Sequence, residues 1–120
     1  MTEPRLGLLG GGQLARMLAL SAYPLGYQVS VLTPNISDPA AQVVPQAMLG
    51  SLDNDENLRA FLSEVDAVTF ESEFVDTERL ARCLRSDTYV FPNLRAIEII
   101  QDRLTQKALL DQHGIATSPW

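Results

Sequence analysis

The chain has 120 residues, 15 acidic against 9 basic side chains and 46% hydrophobic residues. That is the size and balance of one globular domain, and a net charge of −6 excludes a general binder of nucleic-acid phosphates, which needs clustered Lys and Arg. No apolar run is long enough to cross a membrane, no charged start leads into a signal-like stretch, and one Cys with one His supplies no disulfide, zinc or redox spacing, so Cys83 reads as a small packing residue on a helix.

Arg5-Leu6-Gly7-Leu8-Leu9 is a short apolar run closed by Gly10-Gly11-Gly12, the pattern of a buried strand. From Gln13 the period changes. Leu14, Met17, Leu18, Ala22 and Leu25 recur at helical spacing and are expected to form the inner face of a helix ended by Gly26. Residues 27–32 are rich in β-formers and stop before Pro34, so the first third reads strand, glycine turn, helix, strand. Such a βαβ unit calls for a parallel sheet and a right-handed crossover.

The alternation continues. Residues 39–44 are expected to form a short helix and 46–49 a third strand. A helix follows over 53–62, with Leu58, Phe61 and Leu62 inward, then a buried strand over 67–70. Asp76 is expected to cap a helix running to about Leu84, with Leu80 and Leu84 inward. Residues 89–91 form a last strand cut by Pro92, and helices over 94–100 and 103–113 close the domain, the second ended by Gly114. The predicted fold is α/β: a doubly wound, Rossmann-like parallel sheet with helices on both faces. The domain is expected to occupy 1–114. Residues 115–120, extended and holding Pro119, read as the start of a linker to a further domain.

Three motifs carry chemistry. Gly10-Gly11-Gly12-Gln13-Leu14-Ala15 matches the G-x-G-x-x-G/A pattern between strand and helix, where free N–H groups and the helix dipole attract an anion. A dinucleotide site also needs an acid at the end of the second strand. Thr33 stands there, followed by Pro34 and Asn35, with no Arg for a 2′-phosphate. The turn therefore serves either strand–helix packing or an anion such as phosphate. Glu71-Ser72-Glu73 follows a strand at the edge where ligands lie, and two residues apart in an extended segment point the same way. This is either a solvated acidic loop or a carboxylate pair in need of a donor. Asp102-Arg103-Leu104-Thr105-Gln106-Lys107 opens a helix with Asp102 as cap. Arg103 and Lys107 are helix neighbours whose like charges favour a nearby anion, Asp111 is placed to pair with Lys107, and the alternative is a solvated face.

Together and in this order the blocks resemble the 5-(carboxyamino)imidazole ribonucleotide synthases, ATP-grasp ligases of purine biosynthesis. The specific parts are Gly7-Leu8-Leu9-Gly10-Gly11-Gly12-Gln13-Leu14-Ala15-Arg16-Met17-Leu18 and Ile100-Gln101-Asp102-Arg103-Leu104-Thr105-Gln106-Lys107. Looser matches at Tyr23-Pro24-Leu25-Gly26-Tyr27, Pro39-Ala40-Ala41-Gln42-Val43, Val68-Thr69-Phe70-Glu71 and Thr117-Ser118-Pro119-Trp120 extend it over the whole chain.

The resemblance implies the N-terminal pre-ATP-grasp domain, of the biotin carboxylase N-terminal type, of a three-domain carbon–nitrogen ligase whose remaining domains would follow Trp120. The implied reaction uses ATP and bicarbonate to form carboxyphosphate, which carboxylates 5-aminoimidazole ribonucleotide. It assigns Gly12, Gln13, Leu14 and Glu71 to the ribonucleotide and Arg103 to ATP, with no catalytic residue or metal ligand in this chain. ATP and Mg²⁺ would be held mainly by the other domains. It further implies a cytoplasmic enzyme, inactive as this domain alone, with a homodimer as an option and neither nucleic acid nor membrane as partner. Three positions depart from the family pattern: Ala15 for a frequent Gly, Thr33 for a frequent Asp, and Phe74 in a run that is commonly Glu-Asn-Val, which leaves the role of Glu73 open. The competing reading is a stand-alone NAD(P)- or nucleotide-binding Rossmann module. Thr33, the Asp102-Arg103 block and the ending at Pro119-Trp120 favour the ligase domain.

Overall fold

Strand β1 (Arg5–Leu9) lies in the middle of a five-stranded sheet in the computed structural model, which describes residues 3–120. β2 (Gln28–Thr33) and β4 (Ala67–Phe70) flank it, and β3 (Gln46–Leu49) and β5 (Tyr89–Val90) form the edges, in the order β3-β2-β1-β4-β5. Every pairing is parallel, with Leu9 beside Leu32 on one side and Phe70 on the other. The chain winds outward to β3 and then crosses back to β4, so the order reverses between β1 and β4. Loops leaving those two strands diverge and open a crevice at their carboxyl ends.

Alternate residues of the strands feed two cores. Leu9, Leu32, Val68 and Phe70 meet helices α2 (Asp55–Leu62), α3 (Thr77–Cys83) and α4 (Leu94–Ile100) through Leu58, Phe61, Leu62, Leu80, Cys83 and Ile97. Leu8, Val29 and Val31 face α1 (Gln13–Ala22) and the turns after β2. Cys83 is thus a packing residue, as expected. Helix α5 (Arg103–Gln112) contributes no buried residue.

Helix boundaries follow their caps. Asn54 accepts from the Asn57 N–H at 2.9 Å, which starts α2 two residues later than the sequence suggests. Asp76 accepts from the Arg79 N–H at 3.0 Å and starts α3 as expected. Residues 39–44 do not form the expected helix: the Ala40 N–H is committed to the Gly11 carbonyl at 2.8 Å, and the segment makes turns that bury Ala40, Ala41 and Val44.

α1 departs from the expected face. Ala15, Ala19 and Ala22 are buried against the sheet, while Leu14, Met17, Leu18 and Leu25 are exposed. Of the expected inner set only Ala22 faces the core. The helix has two adjacent apolar stripes, and the small one allows the close approach that a glycine turn directly after β1 imposes.

Between α2 and α3, the Asp55 carboxylate receives Arg79 at 2.8 Å and Arg82 at 3.0 Å. The hydrogen bond from Arg82, and then that from Arg79, hold it below the usual carboxylate range. Asp66, bonded to Arg5, is lowered in the same way. A carboxylate lowered in the folded state stabilises above its unfolded pKa, and that contribution disappears as pH falls through the folded value. Urea denaturation is therefore expected to give stability that is flat from about pH 7 to about pH 5 and falls below about pH 4, less steeply in high salt. Loss beginning above pH 5 would contradict this origin. In the same assay Ala19→Leu, which overpacks a fully buried position, is expected to cost about 1–3 kcal/mol. Met17→Gln, on the outer stripe, is expected to stay within about 0.5 kcal/mol.

Candidate functional site

The crevice is built around one side chain. The Glu71 N–H donates to the Leu9 carbonyl at 3.2 Å, which carries the β1–β4 ladder one step past the strand and anchors Glu71 beside the glycine turn. Its carboxylate Oε2 accepts from the Gly12 N–H at 2.8 Å. Gly10 has φ +98°, a backbone few other residues adopt, and a Cβ there would lie 2.7 Å from Glu71 Oε2. Gly12, the N-cap of α1, has φ −75°, which any residue tolerates. A Cβ on Gly12 would instead overlap the Glu71 carboxylate. Gly10 is required by its backbone and Gly12 by its neighbour.

A carboxylate of the protein itself thus stands at the turn. Glu71 takes the Gly12 N–H, one donor of a turn that the sequence reads as serving either packing or an anion, and lays its carboxylate at the start of α1, where the dipole favours negative charge. Gln13 and Leu14 follow on the exposed first turn of α1, beside that carboxylate. At Gly12 the turn therefore offers an incoming ligand an acceptor, a chemistry suited to hydroxyl and amine groups.

Thr33 ends β2 fully buried, and its hydroxyl donates to the Asp38 carboxylate. Asp38 thereby brings an acid to the end of β2 from the following loop, while Ala40 ties that loop to Gly11. The sequence reading missed Asp38. Its signal is the Thr-to-Asp spacing of five residues across a Pro-Asn turn, which no strand-end rule covers.

Glu71 and Glu73 are not an aligned pair. The Val75 N–H donates to the Glu73 carbonyl at 2.9 Å and the Phe74 N–H to Ser72 Oγ at 3.1 Å, so the segment is a succession of tight turns. The two-residue alternation of an extended chain does not apply there. Among the described residues the Glu73 carboxylate has no hydrogen-bond partner.

Arg103 lies elsewhere. Asp102 caps α5 by accepting from the Leu104 N–H at 2.7 Å and the Thr105 N–H at 3.3 Å, as the sequence predicts. Arg103, Leu104 and Lys107 line a shallow cavity of about 410 Å³ with Ser118, Pro119 and Trp120. Lys107 Nζ donates to Ser118 Oγ at 3.0 Å instead of pairing with Asp111. A larger cavity, about 690 Å³, opens at the opposite, amino end of the strands beside Tyr23, Gln28, Met48 and Phe61. It is remote from the glycine turn. No group of three or more His, Cys, Asp or Glu side chains placed to hold a metal ion occurs among the described residues.

Residues 3–101 match the model of the ribonucleotide synthetase preATP-grasp domain. An N5-carboxyaminoimidazole ribonucleotide synthase of Brucella melitensis is 38% identical over 115 residues, which cover 96% of this chain and 32% of that protein. The protein of the same name from Mycobacterium tuberculosis is 36% identical over 113 residues, 94% of this chain and 26% of its own length. The chain thus spans about a third or less of these relatives. Among solved structures, the synthetase of Thermus thermophilus superposes with a TM-score of 0.83 at 38% identity, covering 95% of this chain and 31% of that one. The Aspergillus clavatus synthase, solved with ADP and 5-aminoimidazole ribonucleotide, does so with a TM-score of 0.83 at 37% identity, covering 98% and 31%.

The clash at Gly12 is testable by a double-mutant cycle. Gly12→Ala is expected to destabilise the chain by about 1–3 kcal/mol, because Glu71 must move. In a Glu71→Ala background the same change should cost at least about 1 kcal/mol less. Additivity of the two substitutions in denaturant titrations would show that they do not meet.

Proposed function

The chain belongs to the ribonucleotide synthetase preATP-grasp domain family, and on that premise we propose that it supplies the substrate-side domain of an ATP-dependent carbon–nitrogen ligase that carboxylates 5-aminoimidazole ribonucleotide. The relatives' shared name supports the reaction, and the fungal structure holding both ADP and the ribonucleotide supports the pair of ligands. In such a reaction bicarbonate takes the terminal phosphoryl group of ATP, the exocyclic amine attacks the carboxyl carbon, and phosphate leaves.

What this chain contributes is binding and orientation. The observation that carries the reading is the Glu71 carboxylate held on the Gly12 N–H at the β1–β4 switch point. Fixed there, it accepts hydrogen bonds from ribose hydroxyl or amine groups of the ribonucleotide, with Gln13 and Leu14 completing that side. The same bond argues against the NAD(P) reading, since a pyrophosphate would have to settle against a carboxylate. Arg103 makes no hydrogen bond or ion pair among the described residues and shares its cavity with apolar Leu104 and Trp120. A planar, permanently charged guanidinium in that setting suits a phosphate or a purine face. The Mg²⁺ expected in phosphoryl transfer finds no ligand set among the described residues, so no step is assigned to it. We further place the domain at 1–114, with 115–120 leading into the rest of such an enzyme.

In the complete protein, ATP consumption is expected to depend on added 5-aminoimidazole ribonucleotide and bicarbonate. ATP turnover indifferent to the ribonucleotide would overturn the reaction. Arg103→Ala is expected to raise the KM for ATP roughly ten- to a hundredfold, the worth of about 1.5–3 kcal/mol for a hydrogen bond to a charged group. The KM for the ribonucleotide should stay nearly unchanged. An unaltered KM for ATP would remove Arg103 from the nucleotide site.

A further inference from the structure

The segment carrying Glu71 has no regular structure of its own between Phe70 and Thr77. A six-residue stretch of turns does not hold a carboxylate still unless its backbone is tied to something rigid. Glu71 itself is tied to β1 by its N–H to the Leu9 carbonyl, and the turns that follow it are tied by a residue that the proposed chemistry leaves unused. Gln101, the C-cap of α4, aims its side-chain nitrogen at two carbonyls of the segment, Glu73 O at 2.8 Å and Val75 O at 2.7 Å. Both N–H groups of one carboxamide are thereby used. Its own backbone is set by the helix, through its N–H to the Ile97 carbonyl at 3.1 Å. A second tie joins the Thr77 hydroxyl to Glu98 at 3.3 Å, one turn earlier on α4.

We propose that Gln101 is a positioning residue that locks the Ser72–Val75 turns and thereby keeps the Glu71 carboxylate on Gly12. Because Asp102 caps α5 at the very next position and Arg103 follows it, the same residue joins the substrate-side turn to the nucleotide-side helix. The chemistry explains the residue type. Two converging carbonyl oxygens require two donors from one nitrogen. A Glu would set a carboxylate against them, a Met of similar shape would leave both without their partner, and a Lys ammonium would still donate to both. What ligand benefits rests on the function proposed above; the mechanical link does not.

The test has two arms. In the 120-residue chain, amide hydrogen exchange is followed at Gly12, bonded to Glu71, and at Gly10, bonded to the Leu32 carbonyl. Gln101→Met should speed exchange at Gly12 about tenfold while Gly10 changes less than about twofold, and Gln101→Lys should restore slow exchange at Gly12. Unchanged exchange at Gly12 overturns the link. Parallel acceleration at both glycines, or failure of Gln101→Met to fold together with no rescue by Gln101→Lys, reduces Gln101 to a general stabiliser and equally overturns it. In the complete protein, Gln101→Met should raise the KM for 5-aminoimidazole ribonucleotide about tenfold, with kcat and the KM for ATP within about threefold. Selective loosening of Gly12 with no change in that KM overturns the role in the site. A wild-type protein that does not use the ribonucleotide overturns the proposed reaction instead and leaves the exchange arm to decide the link.

Discussion

The carboxylate of Glu71 rests on the backbone N–H of Gly12, and the carboxyl ends of the two central strands are arranged around that bond. It joins the loop leaving β1 to the loop leaving β4, which the sheet order sends in opposite directions. The absence of a side chain at Gly12 makes room for the carboxylate, and the ladder bond from Glu71 to Leu9 sets its height above the sheet. The dipole of α1 then favours the charge where it stands. Remove the glycine, the ladder step or the carboxylate, and the crevice loses the group that gives it polarity.

The same constraint reaches into the packing. A helix that must start directly at this turn lies low on the sheet, so alanines at 15, 19 and 22 form its inner face and the larger side chains are left outside. On the other side of the switch point, the turns after Glu71 hang from α4 through Gln101. Rigid elements thus hold the carboxylate from both directions, the condition under which one fixed acceptor can orient a polyhydroxylated ligand.

Much of the fold was legible because its signals are local. β1, β4 and α4 have the bounds that apolar run length, glycine, proline and cap residues suggest, and Asp76 and Asp102 cap the helices they were expected to cap. The inner face of α1 was not legible. Hydrophobicity ranks Leu above Ala, whereas the distance between helix and sheet, which no window of sequence contains, decides which stripe fits. The site shows the same division. The glycine turn and Glu71 each stood out as motifs, but their meeting spans 59 positions. That meeting sets a carboxylate against the first N–H of the glycine turn. Asp38 was hidden because its carboxylate reaches Thr33 through a turn, not along a strand.

The most direct test is a crystal structure of the complete protein with 5-aminoimidazole ribonucleotide bound. The expected result is a ribonucleotide in the β1–β4 crevice, with a hydroxyl or amine within hydrogen-bonding distance of the Glu71 carboxylate, Gln13 and Leu14 alongside, and the Gly12 bond intact. A ribonucleotide bound away from Glu71, or a phosphate that has displaced its carboxylate from Gly12, would contradict the assignment of this crevice.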